Sequence, residues 1–169
     1  MEYHHESKRL FVAMDNGYIS EFSVASDYNR IQQIKNYAAH QGRIKAIIFS
    51  SQTELLLSIG KDKYFVWHSS ESGSRVGSYI CSAAPSALQF DPSSKHVFIG
   101  NSNGQIEMLK LENQQYKFVT TFSGHLSVVR SLFWSTTKEL LFSGSGDKTI
   151  ICWDIGGKKG TAYELNGHQ

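Results

Sequence analysis

Cysteine is scarce in this sequence: Cys81 and Cys152 are the only two, and no CxxC pair occurs. Zinc sites built on cysteine pairs are therefore excluded within these 169 residues, and no cofactor is expected in them. Isolated strand cysteines act as small hydrophobes, and free thiols fit the reducing cytoplasm. Long hydrophobic runs are also missing. No stretch of 18 apolar residues occurs, so no helix can cross a bilayer. The first residues, Met1-Glu2-Tyr3-His4-His5-Glu6, lack the apolar core of a signal peptide. Neither sign of charge dominates. Seventeen Lys and Arg against 15 Asp and Glu leave +2, scattered along the chain. That excludes a nucleic-acid stripe and a polybasic membrane patch, so neither nucleic acid nor direct membrane binding is expected. No segment keeps a convincing 3.6-residue apolar period, so no helix of any length is expected.

What is present is a globular balance of 40% hydrophobic and 19% charged residues, broken by turn formers into short runs. Gly124-His125 and Gly167-His168 stand 43 residues apart, and Ala39-His40 lies 85 residues before His125. A unit of about 43 residues therefore repeats, at approximately 1–39, 40–81, 82–124 and 125–167. Inside each unit two apolar runs flank a turn: Asp15-Asn16-Gly17, Gly60–Lys63, Asn101–Gly104 and Gly144–Lys148. Gly, Asn and Asp supply the positive φ of tight turns, so each pair reads as a hairpin. Ile44–Phe49, Ala87–Phe90 and Val128–Trp134 read as a further strand per unit. Ile31–Tyr37, Arg75–Cys81, Tyr116–Phe122 and Thr161–Leu165 supply another. Four short antiparallel strands at this period describe a propeller blade. The expected fold is all-β: a partial β-propeller of about four four-stranded blades, the first and last incomplete.

Gly124-His125, Gly146-Asp147 and Trp153-Asp154 resemble the WD-repeat pattern, and His40, Asp62 and Trp67 form a looser copy. In WD repeats a His, a Ser or Thr, an Asp and a Trp commonly make one buried hydrogen-bond chain. The resemblance places that chain on His125, Ser143, Asp147 and Trp153, and again on His40, Ser58, Asp62 and Trp67. His to Ser is 18 residues and His to Asp 22 in both units. The chemistry suits the types: indole N–H only donates, a hydroxyl passes the bond on, neutral imidazole does both, and carboxylate only accepts. Trp153 follows Asp147 by six residues but Trp67 follows Asp62 by five, so the second indole's bond to its Ser is in doubt. In the third unit the Ser, Trp and His sites fall on Ile99, Leu109 and Cys81. In the first, the Ser and Trp sites fall on Val12 and Phe22. Apolar residues there replace the polar chain together, which leaves no orphan. Ser, His and Asp are also the members of a nucleophilic triad. Against that, the set occurs twice at the repeat period, and Ser143-Gly144-Ser145-Gly146 is a turn rather than a strand-to-helix elbow. No catalytic residue is assigned.

Longer segments resemble one family. They include Leu10–Met14 with Asp15-Asn16-Gly17, Lys35-Asn36-Tyr37 before His40-Gln41, and Trp67-His68 with Ser70-Glu71-Ser72-Gly73. Gln89-Phe90-Asp91, His96–Gly100 and Trp153–Ala162 continue the match. Together they resemble the WD-repeat and FYVE-domain-containing proteins of endosomes. The resemblance implies a propeller of about seven blades and a zinc-binding FYVE finger that recognises phosphatidylinositol 3-phosphate. Neither the full ring nor the finger is in this sequence; His4-His5 has no Cys or Arg beside it and reads as a solvated turn. The chain therefore reads as a fragment of such a protein, or as a short form of it.

The function implied is a non-catalytic interaction scaffold, within an endosomal adaptor by resemblance. A substrate receptor of a ubiquitin ligase is the alternative, and a propeller enzyme a third reading. Candidate partner-contact residues on the turns are Arg43, Lys61, Lys63, Asn101, Arg130 and Lys148. The partners expected are other proteins, and the open arc is expected to self-associate.

Overall fold

The computed structural model describes residues 1–156 and the backbone of 162–166. Gly157–Thr161 of the family-like segment and the Gly167-His168 repeat marker lie outside the described residues. The chain divides into two compact units, Met1–Ile80 and Cys81–Gln169. Each holds two four-stranded antiparallel sheets whose strands follow chain order.

In the first unit, sheet one runs β1 (Glu2–His4), β2 (Arg9–Ala13), β3 (Tyr18–Val24) and β4 (Ile31–Ala38). Sheet two runs β5 (Ile44–Ser50), β6 (Leu55–Gly60), β7 (Tyr64–Ser69) and β8 (Arg75–Ile80). In the second unit, sheet three runs β9 (Pro85–Asp91), β10 (His96–Asn101), β11 (Gln105–Glu112) and β12 (Gln115–Ser123). Sheet four runs β13 (Val129–Ser135), β14 (Leu140–Ser145), β15 (Thr149–Asp154) and β16 (Ala162–Asn166). The first and last sheets were expected to be incomplete, yet both have four strands. Sheet one gains β1, three residues too short and too polar to show any alternation. His4, read as part of a solvated turn, ends that strand and sets its ring edge-on to Phe49 at 5.4 Å.

The repeat is visible in the backbone as well as in the side chains. Lys8, Glu54, Lys95 and Glu139 each precede the second strand of their sheet with φ near 50–60° (54, 49, 61 and 52°). Each then accepts a bond at its carbonyl from the far end of the third strand: from Val24, Ser70, Leu111 and Ile155 N–H respectively. A second left-handed position recurs in the next turn, at Gly17, Lys63, Gly104 and Lys148. Glycine there is dictated by a close approach. A Cβ on Gly17 would sit 1.9 Å from the His40 carbonyl oxygen, and one on Gly104 would sit 2.4 Å from that of His125. The approach is a bond: Gly17 C=O accepts the His40 N–H at 2.9 Å.

Side chains alternate across each strand, so one face of a sheet meets its neighbour. In the first unit Phe11, Ile19 and Tyr37 of sheet one pack on Ile47, Phe49 and Leu56 of sheet two, with Phe11 and Phe49 rings 4.6 Å apart. In the second unit Ala87, Phe98, Ile106 and Met108 of sheet three pack on Leu132, Trp134, Leu141, Ile151 and Trp153 of sheet four. Phe98 stacks on Trp134 at 5.0 Å, the counterpart of the Phe11–Phe49 contact. Each such ring contributes on the order of 1.5–3 kcal/mol by leaving water.

Candidate functional site

In sheet four the turn between β14 and β15 carries Asp147, and the loop before β13 carries His125. Ser143 on β14 and Trp153 on β15 lie two register steps apart, so both point to one face. Trp153 Nε1 donates to Ser143 Oγ at 2.8 Å, and Ser143 Oγ lies 2.7 Å from His125 Nε2. His125 Nδ1 lies 3.2 Å from Asp147 Oδ2 and 3.0 Å from Thr149 Oγ1. Asp147 also accepts the Leu126 and Thr149 N–H groups, at 2.7 and 2.9 Å. Burial works to raise its pKa, but bonds from Thr149 and Leu126, with the neighbouring imidazole, outweigh it and hold the carboxyl far below its ordinary range. The arrangement orients His125 with Nδ1–H toward Asp147, leaving Nε2 to accept the Ser143 proton. Ser143 and His125 are both buried.

Sheet two brings together His40, Ser58 and Asp62 in the same way. His40 Nε2 lies 2.9 Å from Ser58 Oγ, and His40 Nδ1 lies 2.9 Å from Asp62 Oδ1. Burial pushes the His40 pKa down, against the pull of Asp62. Asp62 is raised by burial, but the Gln41 N–H and His40 bring it below its ordinary value. Trp67 is not part of this set. Ser58 pairs with Val66 and Leu57 with Trp67, so the one-residue difference in spacing turns Trp67 to the opposite face. There its indole stacks on Phe65 at 5.2 Å. His68 occupies the place of Trp153, opposite Leu56 as Trp153 is opposite Leu141. It meets Tyr37 edge-on at 5.5 Å, where Trp153 meets Phe122 in a tilted contact at the same distance. Its Nδ1 is buried with no hydrogen-bond partner among the described residues, and burial with the Arg75 charge lowers its pKa to about 4.

The other two sheets keep apolar residues at Val12, Phe22, Ile99, Leu109 and Cys81, but other polar groups take over the interior. In sheet three Glu107 Oε1 accepts from Ser82 N–H at 3.0 Å, Ser82 Oγ at 2.5 Å and Asn101 Nδ2 at 3.3 Å. Asn101, expected as a contact residue, is fully buried. Its Oδ1 holds the turn through the Asn103 and Gln105 N–H groups, at 3.0 and 3.1 Å, which removes it from the contact surface. In the first unit Glu21, fully buried, accepts from Arg9 Nε at 2.6 Å and from Tyr37 Oη. Arg9 continues to Glu54 at 2.9 Å, and Ser70 Oγ donates to the same Glu54 oxygen. Burial, then the Glu21 bond, drives the Tyr37 pKa far up. Arg9, Glu21 and Glu107 do not stand out in the sequence, because a lone charge in a short strand carries no spacing signal.

Arg43, Lys61, Lys63, Arg130 and Lys148 are exposed. Arg130 lies within β13 rather than on a turn. Beside His40 and Asp62 a cleft of about 560 Å³ opens in the first unit, lined by Tyr18, Gln41, Tyr64, Arg75 and Ser78 among others. Among the described residues no group of three or more His, Cys, Asp or Glu could hold a metal ion.

Residues 116–154, which include Ser143, Asp147, Trp153 and their His125 partner, match the family model described as WD domain, G-beta repeat. This stretch is a WD repeat. The chain is 51% identical to WD repeat and FYVE domain-containing protein 2 of Homo sapiens, over 99% of its own length and 42% of that protein's. To WD repeat and FYVE domain-containing protein 1 of Mus musculus it is 45% identical, over 99% and 41%. The chain therefore spans about two fifths of the curated relatives it matches. Among solved structures, Sqt1 from Chaetomium thermophilum superposes with a TM-score of 0.82 at 19% identity, over 95% of this chain and 43% of the other. That likeness is one of fold, and it assigns the sheets to blades of a β-propeller.

Proposed function

We propose that the chain is a non-catalytic scaffold for protein–protein interaction. The observation that carries the reading is the state of Ser143. Its hydroxyl oxygen already accepts the Trp153 indole proton, its own proton faces His125, and it is buried. A nucleophile needs an open approach to a reacting carbon; this buried hydroxyl, held between an indole and an imidazole, does not offer one. The Ser–His–Asp sets instead tie the loop before the first strand to the turn after the second, and hold exposed turn residues such as Lys61, Lys63 and Lys148 in place. Rigid sheets presenting such turns support binding rather than chemistry. By the family resemblance, the whole protein would be an endosomal adaptor, held at phosphatidylinositol 3-phosphate by its FYVE domain while these blades engage proteins.

The test is quantitative affinity purification of the tagged chain from cells, beside a variant with Lys61→Glu, Lys63→Glu and Lys148→Glu. The expected result is loss of specific protein partners at unchanged thermal stability. An esterase activity of the parent abolished by Ser143→Ala alone would contradict the reading.

A further inference from the structure

We infer that the cleft lined by Tyr18, Gln41, Tyr64, Arg75 and Ser78 is a docking site for an acidic side chain on an extended segment of a partner protein. The inference rests on the scaffold reading and deepens it. Arg75 is anchored rather than free: one nitrogen, Nη2, donates to the carbonyls of Ala39 at 2.6 Å and Ala38 at 3.3 Å. No carboxylate among the described residues pairs with it, so the rest of its fork stays available in the cleft. The other lining groups point the same way. The hydroxyls of Tyr18, Tyr64 and Ser78 make no hydrogen bond within the described residues, and each can donate. The one carboxylate of the lining, Asp62, is already committed to His40, Gln41 N–H and Tyr64 N–H. The cleft is therefore rich in unspent donors and poor in unspent acceptors, the complement of a carboxylate. Its size, about 560 Å³, admits a few side chains of a peptide. Tyr and Arg together also supply the flat, rigid contacts that dominate binding energy at protein interfaces. No spacing in the sequence marks the site, because its residues come from both sheets of the unit.

Fluorescence anisotropy with two labelled octapeptides tests the site: one alternates leucine and glutamate, the other leucine and glutamine. The 169-residue chain is expected to bind the glutamate peptide at least about tenfold more tightly, a difference typical of one charge-assisted fork. Arg75→Gln should erase the difference. Because Arg75 also holds two carbonyls, Ser78→Glu is the second variant: it leaves those bonds intact and offers Arg75 an internal carboxylate, so it should abolish the preference with little change in melting. Equal binding of both peptides, binding of neither, or a preference that survives both substitutions overturns the inference. A chain that ignores both peptides yet keeps the partners lost on reversing Lys61, Lys63 and Lys148 leaves the scaffold reading standing. A chain that captures no partner contradicts that reading instead.

Discussion

Ser143 holds an indole and an imidazole, whereas Ser58 holds an imidazole and stands opposite Val66. Truncation should register the difference. Ser143→Ala leaves Trp153 Nε1 and His125 Nε2 without their partner and is expected to cost about 2–4 kcal/mol; Ser58→Ala should cost about 1 kcal/mol less. Chemical denaturation of the two variants checks both values. His68 gives a second prediction. An unfolded chain protonates this residue near its ordinary 6.5, while the folded chain resists until about 4. Its contribution is complete above pH 6.5 and fades as the pH falls toward 4, because the unfolded state then binds the extra proton. Melting at pH 5 should fall below that at pH 7 by a margin on the order of 1–2 kcal/mol, and His68→Phe should shrink the gap. Part of the gap should remain, since His40 shifts in the same direction. His40, Ser58, Asp62 and their counterparts were legible in the sequence because a hairpin converts fixed spacing into fixed contact. The departure of Trp67 was legible too: it follows Asp62 by five residues where Trp153 follows Asp147 by six, and in a strand one residue reverses the face. Arg9 and Glu21 were hidden: a charge in a strand reads as exposed until its partner, 12 residues away across a hairpin, is placed beside it.

At the scale of the element, the turns between second and third strands separate into two kinds. Gly17 and Gly104 lie under the backbone of a following loop; Lys63 and Lys148 hold the same left-handed conformation with a side chain in place. Gly17→Ala should therefore cost about 2 kcal/mol or more, from strain at φ 88° and collision with the His40 carbonyl. Lys148→Gly should gain up to about 1 kcal/mol, reduced by the added freedom of the unfolded chain. Thermal melts of both variants decide whether the same turn carries opposite signs. The hairpins and their order were legible because each turn announces itself with Gly, Asn or Asp. The short β1 was not, since three residues show no period.

At the scale of the whole molecule, each of the two units is a pair of blades, and the central claim is that a blade completes its core on a neighbour and works by presenting surface. Sheet four tests this directly. In sheet three Phe98 and Met108 are buried beneath the next sheet. The matching face of sheet four carries Phe133, Phe142 and Cys152, and Phe133 is 61% exposed although its ring lies 6.3 Å from Phe142. Leu126, in the loop before β13, is 93% exposed. Apolar residues presented in this way seek cover. Sedimentation velocity of the 19.0 kDa chain over a wide concentration range is the decisive measurement. The account predicts a mass that rises with concentration and a shift back toward the single chain on Phe133→Glu. A monodisperse single chain at every concentration, unfolding cooperatively and indifferent to that substitution, would show that the blades need no neighbour and would contradict it.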